Sequence, residues 1–172
     1  AGDSKGKQLT QRLAELIQAP VITTGNGKGM MDNNHPLYIG YPVNKCKAID
    51  DLIEESDLTI SIGTRLPEFK LNLMKNIVEI VSSKSNHYRQ PHITNISLEG
   101  NPNDVLEQII DSISNTPKVG GFSQVEIEKV KKSRDLVLNS MEPQISFVRA
   151  INSVAPQNTI LVEGVNQIGY VC

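Results

Sequence analysis

Two hydrophobic periods alternate along this chain, and that alternation restricts its fold more than any other feature. Leu9, Leu13, Leu16 and Ile17 fall at i, i+4, i+7 and i+8, which puts them on one stripe of a helix that Ala19-Pro20 ends. Val21-Ile22-Thr23-Thr24 then reads as a buried strand. Cys46, Ile49, Leu52 and Ile53 form a second helical stripe, followed by the compact β-branched run Leu58-Thr59-Ile60-Ser61-Ile62, which Gly63 closes. Residues 77–81 and 93–98 read as further strands. After Gly100-Asn101-Pro102 comes a helix carrying Val105, Leu106, Ile109, Ile110 and Ile113. Strand and helix in turn predict βαβ units with a parallel sheet, and right-handed crossovers wind it on both faces. The fold class expected is therefore α/β, a doubly wound parallel sheet.

Composition agrees with a parallel sheet. Aromatic residues make up only 4% of the 172 residues and Trp is absent, so the core has to be aliphatic, as in sheets buried on both faces. Seventeen Lys and Arg against nineteen Asp and Glu give a net charge of -2, with no basic run to displace phosphate counterions, which argues against nucleic acid as a partner. No apolar stretch approaches the roughly 20 residues of a membrane span, and no charged-then-apolar leader opens the chain. A soluble, cytoplasmic protein with no membrane partner is expected. Cys46 and Cys172 lie far apart without CxxC spacing, so neither zinc nor a disulfide framework is expected.

Other segments are less periodic. Residues 30–42 carry no period and read as a surface excursion, and the polar residues 82–92 read as a loop. Residues 114–123, rich in Pro, Gly and small polar residues, have the composition of a linker, and a charged helix over 124–140 follows. Pro143 restarts the chain before a helix carrying Ile145, Val148 and Ile151, and residues 159–162 form one more apolar strand. The organisation expected is a central domain over 1–113, a linker and charged helix over 114–140, and the truncated start of another domain over 141–172. Ala1 is no initiator Met, and the chain stops in apolar sequence, so a piece of a longer protein is expected.

Ligands of an open parallel sheet sit beyond the carboxyl ends of its strands. In the first such loop, Gly25-Asn26-Gly27-Lys28-Gly29, three glycines in five residues bare backbone N–H groups beside the ammonium of Lys28, which suits a phosphate or an adenine nucleotide. It is neither a P-loop nor a GxGxxG fingerprint, and a tight turn with one solvated lysine accounts for it equally well. In the second loop Gly63, Thr64 and Arg65 offer close backbone approach, a hydroxyl and a guanidinium able to fork onto phosphate, although Arg65 could instead pair with Glu68. Glu99 to Pro102 makes a third loop. His35, His87 and His92 lie in turns or polar loops without triad partners, and no serine sits in a GxSxG elbow. No catalytic residue and no metal ligand is expected.

In order along the chain, Leu13-Ala14-Glu15, Ala19-Pro20-Val21-Ile22-Thr23-Thr24, Gly27-Lys28-Gly29, Asn34-His35-Pro36-Leu37, Gly40, Glu55-Ser56-Asp57-Leu58 and Ile62-Gly63-Thr64-Arg65-Leu66 resemble the central domain of thiamine-diphosphate-dependent enzymes of the acetolactate synthase type. The agreement is close over residues 9–66 and looser to Ile113. Residues 141–172, with Ala155-Pro156 and Glu163-Gly164-Val165-Asn166-Gln167, are similar to the start of the family's third, pyrophosphate-binding domain.

The resemblance implies a Rossmann-like, DHS-like central domain with about six parallel strands. It also implies a three-domain, homo-oligomeric parent of the transferase or lyase class that decarboxylates or carboligates 2-keto acids with thiamine diphosphate and Mg2+. There Glu163, Gly164, Asn166 and Gln167 would approach the diphosphate. The first domain's glutamate and the third domain's Gly-Asp-Gly motif do not occur in these 172 residues, so the fragment alone is expected to be inactive, a scaffold partnered by the missing outer domains. Some family members hold FAD or ADP in the central domain, which carries over to Gly25, Gly27, Lys28, Gly40, Gly63, Thr64 and Arg65. Two departures weigh against a nucleotide: Ser82-Ser83-Lys84 stands where FAD-binding members carry an acidic run, and Gly100-Asn101 replaces a Gly-Asp pair. The chain is also similar to the family from just after its first strand, which would leave unpaired sheet edges.

Three alternatives stay open. Glu163-Gly164-Val165-Asn166 is similar to the oxalyl-CoA decarboxylase and 2-hydroxyacyl-CoA lyase branch. A stand-alone ADP-, FAD- or NAD-binding module is the second, resting on the glycine loop and Arg65. A sirtuin-like deacylase is the third, with no catalytic histidine in a suitable motif.

Overall fold

In a computed structural model of the chain, the structure describes residues 3–42, 46–64, 66, 70–83, 96–116, 120–156, 159, 161–162, 168–169 and 171. Five helices and five strands are found among them: α1 (Ser4–Ile17), β1 (Val21–Ile22), β2 (Tyr38–Gly40), α2 (Lys47–Glu55), β3 (Thr59–Ile62), β4 (Ile77–Val81), β5 (Ile96–Glu99), α3 (Pro102–Ile113), α4 (Gln124–Asn139) and α5 (Gln144–Val154). All strand pairs are parallel, and they form two ladders, β1-β2 and β3-β4-β5.

The helices begin and end where backbone groups can be satisfied. Asp3 caps α1 by accepting from the Gly6 amide at 2.7 Å, and Gln18, left-handed at φ 53°, closes it by donating to Ala14. Asn101 caps α3, with Pro102 at its first position. Ser123 and Glu126 form a reciprocal capping box at the start of α4.

β4 shows how the two faces are covered. Ile77 belongs to a core with Ile39, Ile49, Leu52, Ile53, Ile127 and Val130, whereas Ile80 belongs to another with Leu9, Leu13, Leu106 and Ile110. Helices α2 and α4 thus supply one core, and α1 and α3, packed on each other, supply the other. A parallel α/β fold wound on both faces is the result.

Three sequence expectations need correction or restriction. Residues 30–42 are not a surface excursion: Met31, Leu37, Tyr38 and Ile39 are buried, and β2 pairs with β1 inside them. Three strand residues between Pro36 and Pro42 are too few to show a period. The strand expected over 159–162 is absent at its described residues, where Leu161 and Val162 are exposed and no described strand offers them a ladder. Of the strand expected over 93–98, residues 96–98 lie in β5 and the remainder falls outside the described residues.

The charged helix after the linker-like segment is docked. Ile127 is wholly buried, and from α4 Gln124 donates to the Pro36 carbonyl at 3.4 Å, Lys131 to that of His35 at 3.1 Å and Arg134 to that of Ile39. Arg134 thus blunts the outer side of β2 at Ile39, while Gln124 and Lys131 hold the segment leading into the strand. Cys46, a free thiol, is packed in the first core.

Candidate functional site at the strand ends

β1 runs out through Thr23, whose amide donates to the Gly40 carbonyl at 3.0 Å and whose hydroxyl shares a buried 3.0 Å hydrogen bond with Tyr38. The chain then makes one 3-10 turn over Gly25–Gly27, closed by the Gly27 amide on the Thr24 carbonyl at 2.9 Å. Gly29 follows at φ +85°, a conformation side chains avoid, and a Cβ there would meet nothing within 4 Å. Lys28 is not a solvated lysine. Its Nζ donates to the Gly169 carbonyl at 2.6 Å and lies 5.0 Å from the centre of the Tyr41 ring.

Gly25, Gly27, Lys28 and Gly40 are therefore brought together by the β1-β2 ladder and its exit loops. Gly40 stands at φ +96°, facing Arg134. Gly63 and Thr64 sit at the end of the other ladder: the Gly63 amide donates to Ile80 at 2.9 Å, and at its φ of +61° the space around it is open. The Thr64 hydroxyl accepts from the Leu66 amide at 3.0 Å and so holds the left-handed Leu66 in place. Among the described residues no ladder joins the two groups. Arg65, Glu163, Gly164, Asn166 and Gln167 lie outside the described residues.

Sequence reasoning missed Tyr41 and Asp3. Asp3 accepts from Asn103 Nδ2 at 3.2 and 3.0 Å while it caps α1, and the Gly6 amide and the Asn103 side-chain amide hold its carboxyl below the usual range. A carboxylate of the chain itself thus stands at the amino end of α1, where the helix dipole favours negative charge. The signal was available: Asp followed by a helical stripe is an N-cap pattern.

His35 serves its turn. Its Nδ1 accepts from the Leu37 amide at 3.2 Å, and its Nε2 faces Glu15 Oε1 at 3.0 Å. Gln11 first, and His35 next, lower the Glu15 carboxyl. His87 and His92 fall outside the described residues. Among the described residues no group of three or more His, Cys, Asp or Glu is placed to hold a metal ion, and no helix is long and apolar enough to cross a membrane.

Comparison with known proteins follows the same lines. The family "Thiamine pyrophosphate enzyme, central domain" matches residues 1–109. Pyruvate decarboxylase isozyme 1 of Saccharomyces cerevisiae is 30% identical over 130 residues, which cover 70% of this chain and 22% of the yeast protein. Acetolactate synthase isozyme 1 large subunit of Escherichia coli is 24% identical over 169 residues, 91% of this chain and 29% of that protein. A probable acetolactate synthase large subunit of Methanococcus aeolicus is 41% identical over 64 residues, 33% of the chain and 10% of that protein. The matched stretch is about a fifth of the yeast protein's length.

Proposed function

Because this chain belongs to the thiamine pyrophosphate enzyme central-domain family, we propose that it is the scaffold and assembly part of a thiamine-diphosphate-dependent enzyme acting on 2-keto acids. One observation carries the reading: four polar side chains at or beside the strand ends are engaged by the protein itself. Lys28 holds Gly169, Thr64 holds Leu66, Asp3 holds Gly6 and Asn103, and Arg134 holds Ile39.

The enzyme class of the longer protein, transferase or lyase, and its cytoplasmic, homo-oligomeric state are part of this proposal. So is its division into a central domain over 1–113, a connecting helix segment over 114–140 and the start of a cofactor domain over 141–172. The metal and most of the cofactor contacts fall to the outer domains in this reading, with Glu163, Gly164, Asn166 and Gln167 as the residues proposed to reach the diphosphate. Bound thiamine diphosphate supplies the electron sink for decarboxylation. The present chain binds and positions neighbours, and by itself it is inactive. The β1 and β3 edges, which carry no strand on one side among the described residues, support placing a strand that precedes α1 between them. The relatives' names favour pyruvate decarboxylase or acetolactate synthase chemistry over the oxalyl-CoA decarboxylase branch.

A second reading is ADP or FAD binding across Gly25, Gly27, Lys28, Gly40, Gly63, Thr64 and Arg65. It is favoured by the open space at Gly29 and Gly63, where backbone can be approached closely. Calorimetric titration of the chain with ADP, FAD and NAD separates the two readings. No saturable binding at millimolar ligand is expected of the scaffold, and micromolar saturable binding of ADP or FAD would replace it with the nucleotide reading.

A further inference from the structure

Three segments remote in sequence meet at Lys28. The residue leaves the glycine turn after β1, Tyr41 leaves β2, and Gly169 belongs to a turn near the other end of the chain, 141 residues away. That turn is closed by the Val171 amide on the Ile168 carbonyl at 2.9 Å. Val171 is buried with Ile145 and Val148 of α5, and Ile168, Leu138 and Met141 pack against them. The turn therefore has an apolar side fixed to the α4–α5 region and a polar side fixed to the sheet. On that side the Lys28 ammonium meets the Gly169 carbonyl.

We propose that Lys28 is a latch that fastens the chain at Gly169 to the carboxyl ends of β1 and β2. The chemistry suits the task. A lysine ammonium has three donors and no acceptor, so it can serve a carbonyl oxygen while its charge rests on an aromatic face. Its position after a glycine turn, where the backbone is least restricted, lets the loop adjust to the incoming turn. The latch goes beyond the scaffold reading, because it gives one named side chain a part in the joint between the central sheet and the turn at Gly169. It also gives Lys28 a role that needs no nucleotide.

Amide hydrogen exchange on the whole chain tests it, with the Val171 amide as reporter and the Gly63 amide, held on Ile80 in the other ladder, as control. Lys28→Met keeps the length of the side chain and removes its donors. Loss of a charge-assisted hydrogen bond is expected to accelerate Val171 exchange about tenfold, with Gly63 unchanged. Lys28→Arg, which still donates and stacks, is expected to restore protection to within about threefold. Unchanged Val171 exchange in Lys28→Met overturns the latch. Equal acceleration at Val171 and Gly63 overturns it too, because that pattern reports global unfolding. ADP titration of the same variants keeps the nucleotide question separate: weakened ADP binding in Lys28→Met with Val171 still protected would assign Lys28 to a phosphate and remove it as a latch.

Discussion

The guanidinium of Arg134 lies where a Cβ on Gly40 would have to stand, and its Nη1 donates to the carbonyl oxygen of Ile39. Helix α4 thereby reaches the outer side of β2 through a gap that only glycine leaves. Arg134 is anchored from behind by Asp135, whose Oδ1 accepts from Nε at 3.0 Å and Nη2 at 2.6 Å.

Gly40→Ala is expected to destabilise the fold by about 1–3 kcal/mol, from a side chain at φ +96° and from displacement of Arg134. Only the second part depends on the arginine. In an Arg134→Ala background the cost of Gly40→Ala should fall by roughly 1 kcal/mol, which a double-mutant cycle in urea measures. Equal costs in the two backgrounds would mean that the guanidinium moves aside freely.

Whether residues 124–139 act as a tether or as part of the packed body is decided at Ile127. This side chain has no exposed surface, and Ile127→Ala is expected to cost about 2–5 kcal/mol. Val125, on the same helix but 79% exposed, should tolerate alanine within about 0.5 kcal/mol. Urea midpoints of the two variants check the contrast, and a silent Ile127→Ala would return α4 to the role of a free linker.

The residues legible in the sequence are those whose signal is local. The run Leu58 to Ile62 and residues 77–81 are short stretches dominated by aliphatic and β-branched residues, and they hold β3 and β4. Leu9, Leu13, Leu106 and Ile110 repeat at helical spacing, and they form the core between α1 and α3. β2 escaped because it is only three residues long and its partners are distant in sequence, Thr23 on one side and Arg134 of α4 on the other. The same holds at the candidate site. Glycines at strand ends are visible as letters, but the partner of Lys28 is 141 residues away, and no local pattern records it.

Gly121 shows a close approach of a different kind. A Cβ there would collide with the carbonyl oxygen of Gln18 and lie 2.9 Å from the Gln18 carbonyl carbon and the Ile17 oxygen. Those atoms belong to the left-handed cap of α1 and have little room to yield. Gly121→Ala is expected to cost about 1–3 kcal/mol, whereas Gly120→Ala, with nothing within 4 Å, should be near neutral. Thermal unfolding of the pair distinguishes packing from a general loss of backbone freedom, which would affect both alike.

Asp3 ties the start of α1 to α3, and its charge gives that tie a pH dependence. The Gly6 amide, and then Asn103, lower its carboxyl in the folded chain below the ordinary aspartate value of 3.8. A group with a depressed folded pKa binds fewer protons native than unfolded, so its stabilising contribution is present above the unfolded pKa and is lost as pH falls through the folded one. Asp3→Asn keeps a side-chain oxygen to cap the helix but removes the charge that Gly6 and Asn103 favour. The variant should therefore be less stable than the parent chain at pH 7, and the difference should shrink below about pH 4. Urea unfolding of both proteins at a series of pH values reads this directly, because the other carboxylates titrate in both and cancel in the comparison. A difference that stays constant down to about pH 2, below the usual carboxylate range, would mean that Asp3 acts as a neutral cap and that its charge plays no part in joining the two helices.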